Sequence, residues 1–308
     1  MADRMILVTG AAGGGQGQTG RHISEMLRAK DVPVRAFVHS FDERSDRLRA
    51  LGAEVVVGDF LDIASVRRAV QGISDIYFAY PVQAGLLDAT AIMAVAAREA
   101  GIARLVDLVM LRSSLDAPTP RMRQNYLSEQ VFEWAGIGTE HVRAAVFYEN
   151  VLALVRPALA TQGTIRLPWG SVSTAIPLVS AEDVARVATA LLAGAAVPGG
   201  NAYPLVGAVL TLGDIIATLG RVLGRDIRYE QISDEEWRRD ALARNYDPHA
   251  VEHLSHLWRS LRNARSESRE FAVTDAIETV GGAKPKTFEE FVREKRSVSL
   301  AELPETSA

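Results

Sequence analysis

The sequence contains no cysteine, which excludes a thiol nucleophile, a disulfide bond and a zinc site with cysteine ligands. Lysine is nearly as scarce: it occurs at positions 30, 284, 286 and 295, so the long middle of the chain has none. Long apolar runs are missing too, since residues 89–97 and 187–197 fall far short of the roughly 20 residues that cross a bilayer. We therefore expect no association with a membrane.

The charge balance is mildly acidic. Lys and Arg number 34 against 38 Asp and Glu, which gives a formal charge of −4 and a pI near 5.9. Without a basic stripe, this composition disfavours nucleic acid as a partner. The apolar run before the first glycine is too short for the core of a signal peptide, so we expect a cytoplasmic protein.

Two patterns of apolar residues, one typical of strands and one typical of helices, alternate through the first half of the chain. Strand-like runs occupy residues 5–9, 34–38, 54–57, 75–79 and 104–110. Segments with helical spacing lie between them, at residues 19–29, 44–51, 63–70 and 86–100. Gly52, Gly72 and Gly101 follow three of these segments, at positions where a residue in the left-handed conformation commonly ends a helix. The alternation predicts an α/β protein with a Rossmann fold, a doubly wound parallel sheet covered by helices on both faces.

The second half changes character after a sixth unit, a helix over residues 121–134 and a strand over 140–145. Residues 162–177 are rich in Gly, Pro, Ser and Thr and are predicted to be irregular or to form small strands. A helix over 181–192 and a helical stretch over 233–263, interrupted near Pro248, follow.

This change divides the chain into two predicted domains. The first covers residues 1–150, and residues 176–206 return to it. The second is a smaller C-terminal α+β domain formed by residues 151–175 and 207–308.

A glycine-rich loop joins the first strand to the first helix. Its small side chains let backbone N–H groups approach a pyrophosphate, and the helix N-terminus adds partial positive charge. The predicted dinucleotide contacts are Gly10, Gly13, Gln18, Thr19 and Gly20. Four additional residues, 14–17, lengthen the loop, and the sequence leaves their role open.

Several segments resemble the NmrA-like family, which is an atypical branch of the short-chain dehydrogenase superfamily. They are VTGAAG…QTGR at the first strand, VRAFVH at the second, GDFLD at 58–62, VRAAVFYEN at 142–150, IPLVSAEDVA at 176–185, TLGDIIATLGRVLGR at 211–225 and TFEEFVRE at 287–294. The resemblance implies a Rossmann domain that binds NAD(P) and a smaller domain that closes over the substrate. It also implies that Asp59 and Phe60 lie beside the adenine. An aspartate that caps a turn is the other interpretation of Asp59.

Discrimination between NAD and NADP falls at the end of the second strand, where an acid pairs with the ribose of NAD and an arginine pairs with the 2′-phosphate of NADP. This sequence has His39 and Ser40 there, and neutral histidine binds phosphate weakly. The NmrA-like family usually has arginine where His39 stands. Arg44 and Arg47 are close enough in sequence to reach the ribose. The sequence therefore favours NAD slightly and leaves the choice open.

The usual Ser, Tyr and Lys set of short-chain dehydrogenases is incomplete. Ser113 and Ser114 follow the fifth strand, where a catalytic serine is expected, and Tyr126 comes thirteen residues after Ser113. Gln130 occupies the lysine position of the YxxxK spacing, and Asn125 occupies the lysine position of the NmrA-like pattern. Either way, the lysine that lowers the tyrosine pKa is missing.

Other residues at the carboxyl edge of the sheet are also candidates. Tyr80 and Pro81 end the fourth strand and are expected to contact the cofactor, because ligands bind at this edge of open α/β sheets. Tyr148 and Asn150 follow the sixth strand and are expected to face the substrate cleft. His249, His253 and His256 have helical spacing, but no acids accompany them in a matching pattern. We expect neither a metal nor a flavin.

Two functions remain open. The first is an NAD(P)H-dependent oxidoreductase that transfers hydride to a quinone-like or aromatic, polyketide-type carbonyl, which stabilises the developing oxyanion by delocalisation. The second is a catalytically silent protein that binds NAD(P) and senses its redox state. We favour the reductase. The identity of the small aromatic substrate and the oligomeric state cannot be read from the sequence.

Overall fold

A computed structural model describes residues 4–13, 18–160, 163–194, 200–264 and 271–295 of the chain. The four additional residues of the glycine-rich loop, 14–17, lie outside the described residues. In the part of the chain that is described, no helix combines the length and the apolarity needed to cross a membrane.

The structure contains parallel and antiparallel strands. They are β1 (Ile6–Thr9), β2 (Val34–Val38), β3 (Glu54–Val57), β4 (Asp75–Phe78), β5 (Arg104–Met110), β6 (Thr139–Ala144), β7 (Val146–Phe147), β8 (Thr164–Leu167), β9 (Ala175–Val179), β10 (Ala202–Leu205), β11 (Ala208–Thr211) and β12 (Arg228–Gln231). Seven of them form a fully parallel sheet in the order β10-β6-β5-β4-β1-β2-β3. The chain reverses its direction of winding between β1 and β4, which confirms the predicted doubly wound Rossmann sheet.

Helices connect and cover these strands. They are α1 (Thr19–Arg28), α2 (Glu43–Ala50), α3 (Ile63–Ala69), α4 (Leu86–Glu99), α5 (Pro120–Ala135), α6 (Tyr148–Ala160), α7 (Ala181–Leu192), α8 (Leu212–Leu223), α9 (Asp234–Ala243), α10 (Pro248–Asn263), α11 (Ala276–Thr279) and α12 (Phe288–Lys295). On one face of the main sheet α1 contacts α7, and on the other α4 contacts both α3 and α5.

Local chemistry explains why these elements form. Strands β1 and β4 are buried along their whole length, as expected for central strands of a parallel sheet. Gly52, Gly72 and Gly101 have φ angles of +78°, +72° and +69°, and each follows a helix. A side chain at such a φ angle meets steric strain, so the three predicted glycine caps are confirmed.

The second half of the chain forms two small sheets beside the main one. In the first, β9 pairs with β11 antiparallel and with β7 parallel, and in the second, β12 pairs with β8. The predicted helical stretch over 233–263 is divided, with α10 beginning at Pro248 because proline fits the first position of a helix. Helix α6 was not predicted from the sequence.

One of these contacts crosses the predicted domain boundaries. Strand β10 joins the main sheet and α7 packs on α1, as expected if residues 176–206 return to the first domain, whereas β9 pairs with β11 of the second. Trp169 and Trp258, whose rings lie 4.8 Å apart, belong to a separate core cluster of the second half. The division into two domains stays a prediction.

Candidate functional site

The glycine-rich loop begins directly after β1. Gly10 and Gly13 have φ angles of +62° and +65°, and the N–H of Gly13 donates to the carbonyl of Gly10 at 3.2 Å. A Cβ at Gly20 would lie 2.5 Å from the carbonyl oxygen of Thr9, so only glycine lets α1 approach β1 this closely. A Cβ at Gly13, by contrast, would meet no atom of the described residues within 4 Å. The start of α1 is therefore tight against the strand at Gly20, whereas Gly13 is not enclosed by the described part of the chain.

The first turn of α1 lacks the groups that normally neutralise a helix N-terminus. Gln18 forms no side-chain cap, and its Oε1 accepts a hydrogen bond from Arg21 at 2.8 Å. The first turn contains no acidic residue. Buried Thr19 accepts a hydrogen bond from the Tyr77 hydroxyl at 2.7 Å, which ties the helix start to β4. An open glycine turn next to this helix N-terminus fits the pyrophosphate of a dinucleotide.

Arg44 connects α2 to the glycine-rich loop. Its Nη1 donates to the carbonyl oxygen of Gly13 at 3.0 Å, and its Nε donates to Asp42 at 2.9 Å. The guanidinium holds the pKa of the Asp42 carboxyl below its usual value, and Asp42 also caps α2. His39 and Ser40 are exposed at the end of β2. Arg44 is therefore a side chain of α2 that contacts the glycine turn, and its charge is paired with the carboxylate of Asp42 through Nε and Nη2.

An aromatic cluster lies at the carboxyl ends of β2, β3 and β4. The ring of Phe60 stands edge-on to Phe37 at 5.0 Å, to Tyr80 at 5.4 Å and to Phe78 at 5.8 Å. Exposed Asp59 accepts the N–H of Leu61 at 2.8 Å, which is the contact of an aspartate that shapes a turn. Phe60 thus offers an apolar surface where the resemblance placed the adenine.

The loop after β4 is held by α5. Tyr80 is half-buried, and its hydroxyl donates to the carbonyl of Ala84 at 2.7 Å. The carbonyl oxygens of Tyr80 and Pro81 accept hydrogen bonds from buried Arg121 at 3.0 and 2.8 Å. Sequence reasoning missed Arg121, because nothing in its helical spacing distinguishes it from a surface arginine.

A groove of about 430 Å³ lies at the carboxyl end of β5. Its lining residues are Leu111, Arg112, Ser113, Ser114, Asp116, Ala117, Pro118, Pro204, Val206 and Thr274. The Ser113 hydroxyl donates to the carbonyl of Met110 at 2.7 Å, so it must rotate about χ1 before it donates to a ligand. Nη1 of Arg112 donates to Ser260 on α10 at 3.1 Å. The groove therefore combines hydroxyls, the cation of Arg112, the carboxylate of Asp116 and apolar walls.

Helix α5 brings several polar side chains onto its buried face. Asn125 is 4 % exposed, and its Oδ1 has no hydrogen-bond partner among the described residues. Tyr126, the next residue, is half-buried and is not among the residues that line the groove. Glu129 is 2 % exposed and binds Arg143 on β6 through both carboxylate oxygens, at 2.9 and 2.6 Å.

Near its C-terminal end, α5 contacts a buried histidine on β6. His141 Nε2 lies 2.9 Å from Glu133 on α5, and its Nδ1 lies 3.4 Å from Asp107 on β5. Burial alone acts to lower the pKa of His141, but the carboxylates of Asp107, Glu129 and Glu133 together raise it above the ordinary value. Burial raises the pKa of Asp107. Sequence reasoning missed this pair, because its members come from different strands.

Tyr148 does not occupy the position expected of it, and the expectation for Asn150 stays a prediction. Tyr148 has no exposed surface: its ring packs against Phe288 and Phe291, and its hydroxyl donates to the carbonyl of Lys286 at 3.1 Å. A tyrosine in this core position is out of reach of a substrate in the groove, so the expectation for Tyr148 is corrected to packing. Asn150 is half-buried in α6 and does not line the groove.

The three histidines of α10 lie in different surroundings. His253 is buried and its Nδ1 lies 3.0 Å from the Thr119 hydroxyl, which caps α5. Burial, with Arg121 nearby, lowers the pKa of His253 to about 3, so it is neutral at physiological pH. His249 is exposed and His256 half-buried. Among the described residues, no group of three or more His, Asp or Glu side chains is arranged to hold a metal ion.

The model of the NmrA-like family matches residues 2–292. The chain belongs to the NmrA-like family. Among curated relatives, it is 34% identical over 255 residues to a (4-alkanoyl-5-oxo-2,5-dihydrofuran-3-yl)methyl phosphate reductase of Streptomyces griseus, covering 80% of this chain and 84% of the relative. It is 25% identical to an NAD(P)H azoreductase of Xenophilus azovorans, covering 94% and 97%.

Solved structures of NmrA-like proteins share the fold. NADPH-dependent quinone oxidoreductase of Escherichia coli, in complex with NADPH, aligns with a TM-score of 0.76 and 23% identity, covering 94% of this chain and 99% of that one. NmrA, a negative transcriptional regulator, in complex with NADP, aligns with a TM-score of 0.78 and 19% identity, covering 98% of both chains. The NmrA-like fold therefore occurs in both a reductase and a regulator.

Proposed function

We propose that this NmrA-like protein is an NADPH-dependent reductase that transfers hydride to a quinone-like or aromatic carbonyl compound. The observation that carries the proposal is the position of the groove at the carboxyl end of β5, two strands away from the glycine turn of β1 in the sheet order. A dinucleotide laid across the switch between β1 and β4 extends from the first of these features to the second. The curated relatives that are reductases support the same class of reaction.

The choice of NADPH depends on Arg44. A guanidinium binds a phosphate through two parallel hydrogen bonds, whereas a neutral imidazole at His39 does not. Arg44 is already fixed beside the glycine turn by its bond to Gly13, and Asp42 orients it. The sequence, with His39 and Ser40 at the end of β2 and Arg44 and Arg47 within reach, favoured NAD slightly; because Arg44 contacts the glycine turn, we propose NADP(H) instead.

The residues proposed to hold the cofactor form three groups along the carboxyl edge of the sheet. Gly10, Gly13, Gln18, Thr19 and Gly20 surround the pyrophosphate. On the side of β2 and β3, the adenosine half meets His39, Ser40, Arg44, Asp59 and Phe60. On the side of β4, Tyr80 and Pro81 border the nicotinamide half. When bound, the reduced nicotinamide supplies a hydride.

The side chains of this protein are proposed to contribute only hydrogen bonds to the reaction. Two-electron reduction of a quinone by hydride leaves a hydroquinone anion, and the ring spreads its negative charge over several atoms. Hydride addition to the carbonyl carbon of an aromatic ketone leaves an alkoxide whose charge stays on the oxygen, so this acceptor depends more on hydrogen-bond donors. Ser113, which lines the groove, is proposed to donate a hydrogen bond to this oxygen as a neutral hydroxyl, with the final proton coming from solvent. Tyr126 does not line the groove, so its proposed hydrogen bond to the same oxygen requires a movement of its side chain toward the substrate. No lysine assists them, because the sequence has none between positions 30 and 284.

The test is NADPH consumption, followed at 340 nm under anaerobic conditions, with a panel of acceptors. The panel contains polycyclic quinones, aromatic ketones and, because Arg112 lines the groove, a dihydrofuranone methyl phosphate. We expect turnover with at least one member of the panel and binding of NADPH by calorimetry. A protein that binds NADPH tightly yet reduces no acceptor contradicts the reductase.

A sensor of the nucleotide redox state is the second candidate, and the missing lysine favours it. A sensor binds the oxidised and reduced cofactor without turnover and changes its affinity for a protein partner instead. Co-purification of a partner with NADP but not with NADPH, together with complete inactivity on the panel, is the result that this candidate predicts.

A further inference from the structure

Arg121 is a buried cation that holds one loop of the sheet edge. Its side chain lies on α5, and the residue is 5 % exposed. Nη1 donates to the carbonyl of Gln83 at 3.1 Å, while Nη2 donates to the carbonyls of Tyr80 at 3.0 Å and Pro81 at 2.8 Å. The guanidinium carbon also stands 5.7 Å from the centre of the Tyr80 ring. One side chain therefore fixes most of the backbone that follows β4.

This arrangement is not explained by packing alone. Among the described residues, no carboxylate forms an ion pair with Arg121, and its Nε has no hydrogen-bond partner. Burial lowers the pKa of Arg121 to about 10, which reflects the cost of keeping its charge away from water. Carbonyl dipoles compensate a buried cation less well than a carboxylate does. A methionine of similar length would fill the space at lower cost.

The loop that Arg121 holds has a defined place in the sheet. Strand β4 is the neighbour of β1 on the side opposite β2 and β3. In a doubly wound sheet the dinucleotide crosses the switch point, with adenosine over the β2 side and nicotinamide over the β4 side. The backbone of residues 80–83 therefore borders the nicotinamide half, whereas the ring of Tyr80 reaches Phe60 on the adenosine side at 5.4 Å. A displacement of the backbone that leaves this ring in place affects the nicotinamide half first.

We propose that Arg121 is a positioning residue for the nicotinamide half of the cofactor, and that it acts by clamping the carbonyls of residues 80–83. The inference rests on the proposed binding of a nicotinamide nucleotide. Since the clamp uses the forked geometry of the guanidinium, lysine at the same position keeps the charge but loses most of the contacts. Charge and geometry are therefore separable by substitution.

The test compares two ligands that differ only in nicotinamide. Calorimetry gives the dissociation constants of NADPH and of 2′-phospho-ADP-ribose for the wild type, Arg121→Lys and Arg121→Met (for a protein that prefers NADH, NADH and ADP-ribose replace them). We expect both variants to bind NADPH tenfold or more weakly and to bind the fragment within threefold of the wild type. If Arg121→Lys binds NADPH as tightly as the wild type, the proposed clamping of the loop by Arg121 is wrong. If the affinities for both ligands fall equally, the proposal that Arg121 acts only on the nicotinamide half is wrong.

Arg35→Lys is the matched control. Arg35 on β2 also donates to two backbone carbonyls, those of Ala69 at 2.9 Å and Gln71 at 2.7 Å, and its Nε lacks a hydrogen-bond partner among the described residues. It differs from Arg121 in that its Nη2 also pairs with Glu54 at 3.0 Å. The segment that carries the two carbonyls precedes β4 and so lies at the opposite edge of the sheet. We expect Arg35→Lys to lose thermal stability to a similar degree and to bind NADPH like the wild type. Weakened NADPH binding in this control shows a general effect of lost stability and overturns the inference.

A second variant keeps the inference testable when the Arg121 variants do not fold. Tyr80→Phe removes the hydroxyl bond to Ala84 within the same loop and leaves the ring in place. We expect a loss of about threefold in NADPH affinity with the fragment unaffected, and unchanged NADPH affinity overturns the inference. A wild type that binds neither nucleotide refutes the proposed function instead, so the two failures are distinguishable.

Discussion

The side chain of Arg44 donates a hydrogen bond to the backbone carbonyl of Gly13 over 3.0 Å, across 31 residues of sequence. This contact places a permanent positive charge beside the open turn of the glycine-rich loop. It also gives α2 a direct connection to the turn that is proposed to hold the pyrophosphate.

Replacement of Arg44 by alanine should change cofactor preference. Without the guanidinium, the 2′-phosphate of NADPH loses a charged bidentate partner, so its dissociation constant should rise tenfold or more, about 1.4 kcal/mol. NADH has no 2′-phosphate and should bind as before. Arg47→Ala, an exposed arginine on the same helix, is the control and should leave both constants unchanged. An unaltered ratio of the two constants in Arg44→Ala would assign the discrimination to another residue, with His39→Arg as the next variant to measure.

Gly13 and Gly72 form a matched pair for testing the glycine-rich loop. Both have positive φ angles, +65° and +72°, and at both a Cβ would meet no atom within 4 Å in the part of the chain that the structure describes. Valine should therefore impose similar backbone strain at each position, roughly 1–2 kcal/mol. Only Gly13→Val should weaken dinucleotide binding, by tenfold or more, because its side chain would occupy the place of the pyrophosphate. Equal affinities in the two variants, measured by calorimetry, would remove the loop from the site.

The fold was predictable from the sequence because its signals are local. Buried strands and glycine caps such as Gly101 depend on neighbours within a few residues, so their spacing is visible in the chain. The glycine-rich loop was recognised for the same reason. Tyr148 was misplaced because a tyrosine after a strand is equally compatible with a cleft and with a core, and the choice was made by Phe288 and Phe291, 140 or more residues away.

The electrostatic parts of the site were not predictable in the same way. Arg121 receives its role from carbonyls on another loop, and Asp107 and His141 meet only because β5 and β6 are adjacent in the sheet. Such contacts depend on register and on helix placement, which hydrophobic periodicity does not specify.

Ser113 and Tyr126 should each make a modest contribution to turnover. As neutral hydrogen-bond donors, without lysine, they should account for about tenfold each, below the 10²–10⁴ of lost general acid-base catalysis. Ser113→Ala and Tyr126→Phe should lower kcat by this amount, and the double variant should lose less than the product if both donate to the same oxygen. A loss above 10⁴ in Tyr126→Phe would identify it as an activated proton donor, while no loss in either variant would exclude both from the reaction.

His141 should make stability fall as the pH rises above neutrality. Because its pKa is raised in the folded state, its contribution is complete below the unfolded value of about 6.5 and is lost as the pH passes through the folded value. The free energy of unfolding in urea should therefore decrease over this window, by at most about 1.4 kcal/mol per pH unit. His141→Gln should reduce this slope. A slope identical to that of the wild type would show that the imidazole does not take up its proton on folding.

His253 should have the opposite effect on the pH dependence of stability. Its pKa is lowered to about 3, so its contribution to stability is present above about 6.5 and is lost as the pH falls toward 3. His253→Gln should flatten the acid side of the stability profile and leave the alkaline side as it is in the wild type. Urea unfolding at a series of pH values measures both histidines in one experiment, and an acid side unchanged by the substitution would contradict the assignment.

Hydride transfer is tested most directly with NADPH that carries deuterium at C4 of the nicotinamide. The protein is mixed anaerobically with an aromatic ketone from the panel that it reduces, and the product is examined by mass spectrometry. The account predicts one deuterium on the former carbonyl carbon, from only one of the two C4 positions, and slower turnover with that isotopomer. NADPH that stays bound and unoxidised with every acceptor, or a product without deuterium from either position, would contradict it.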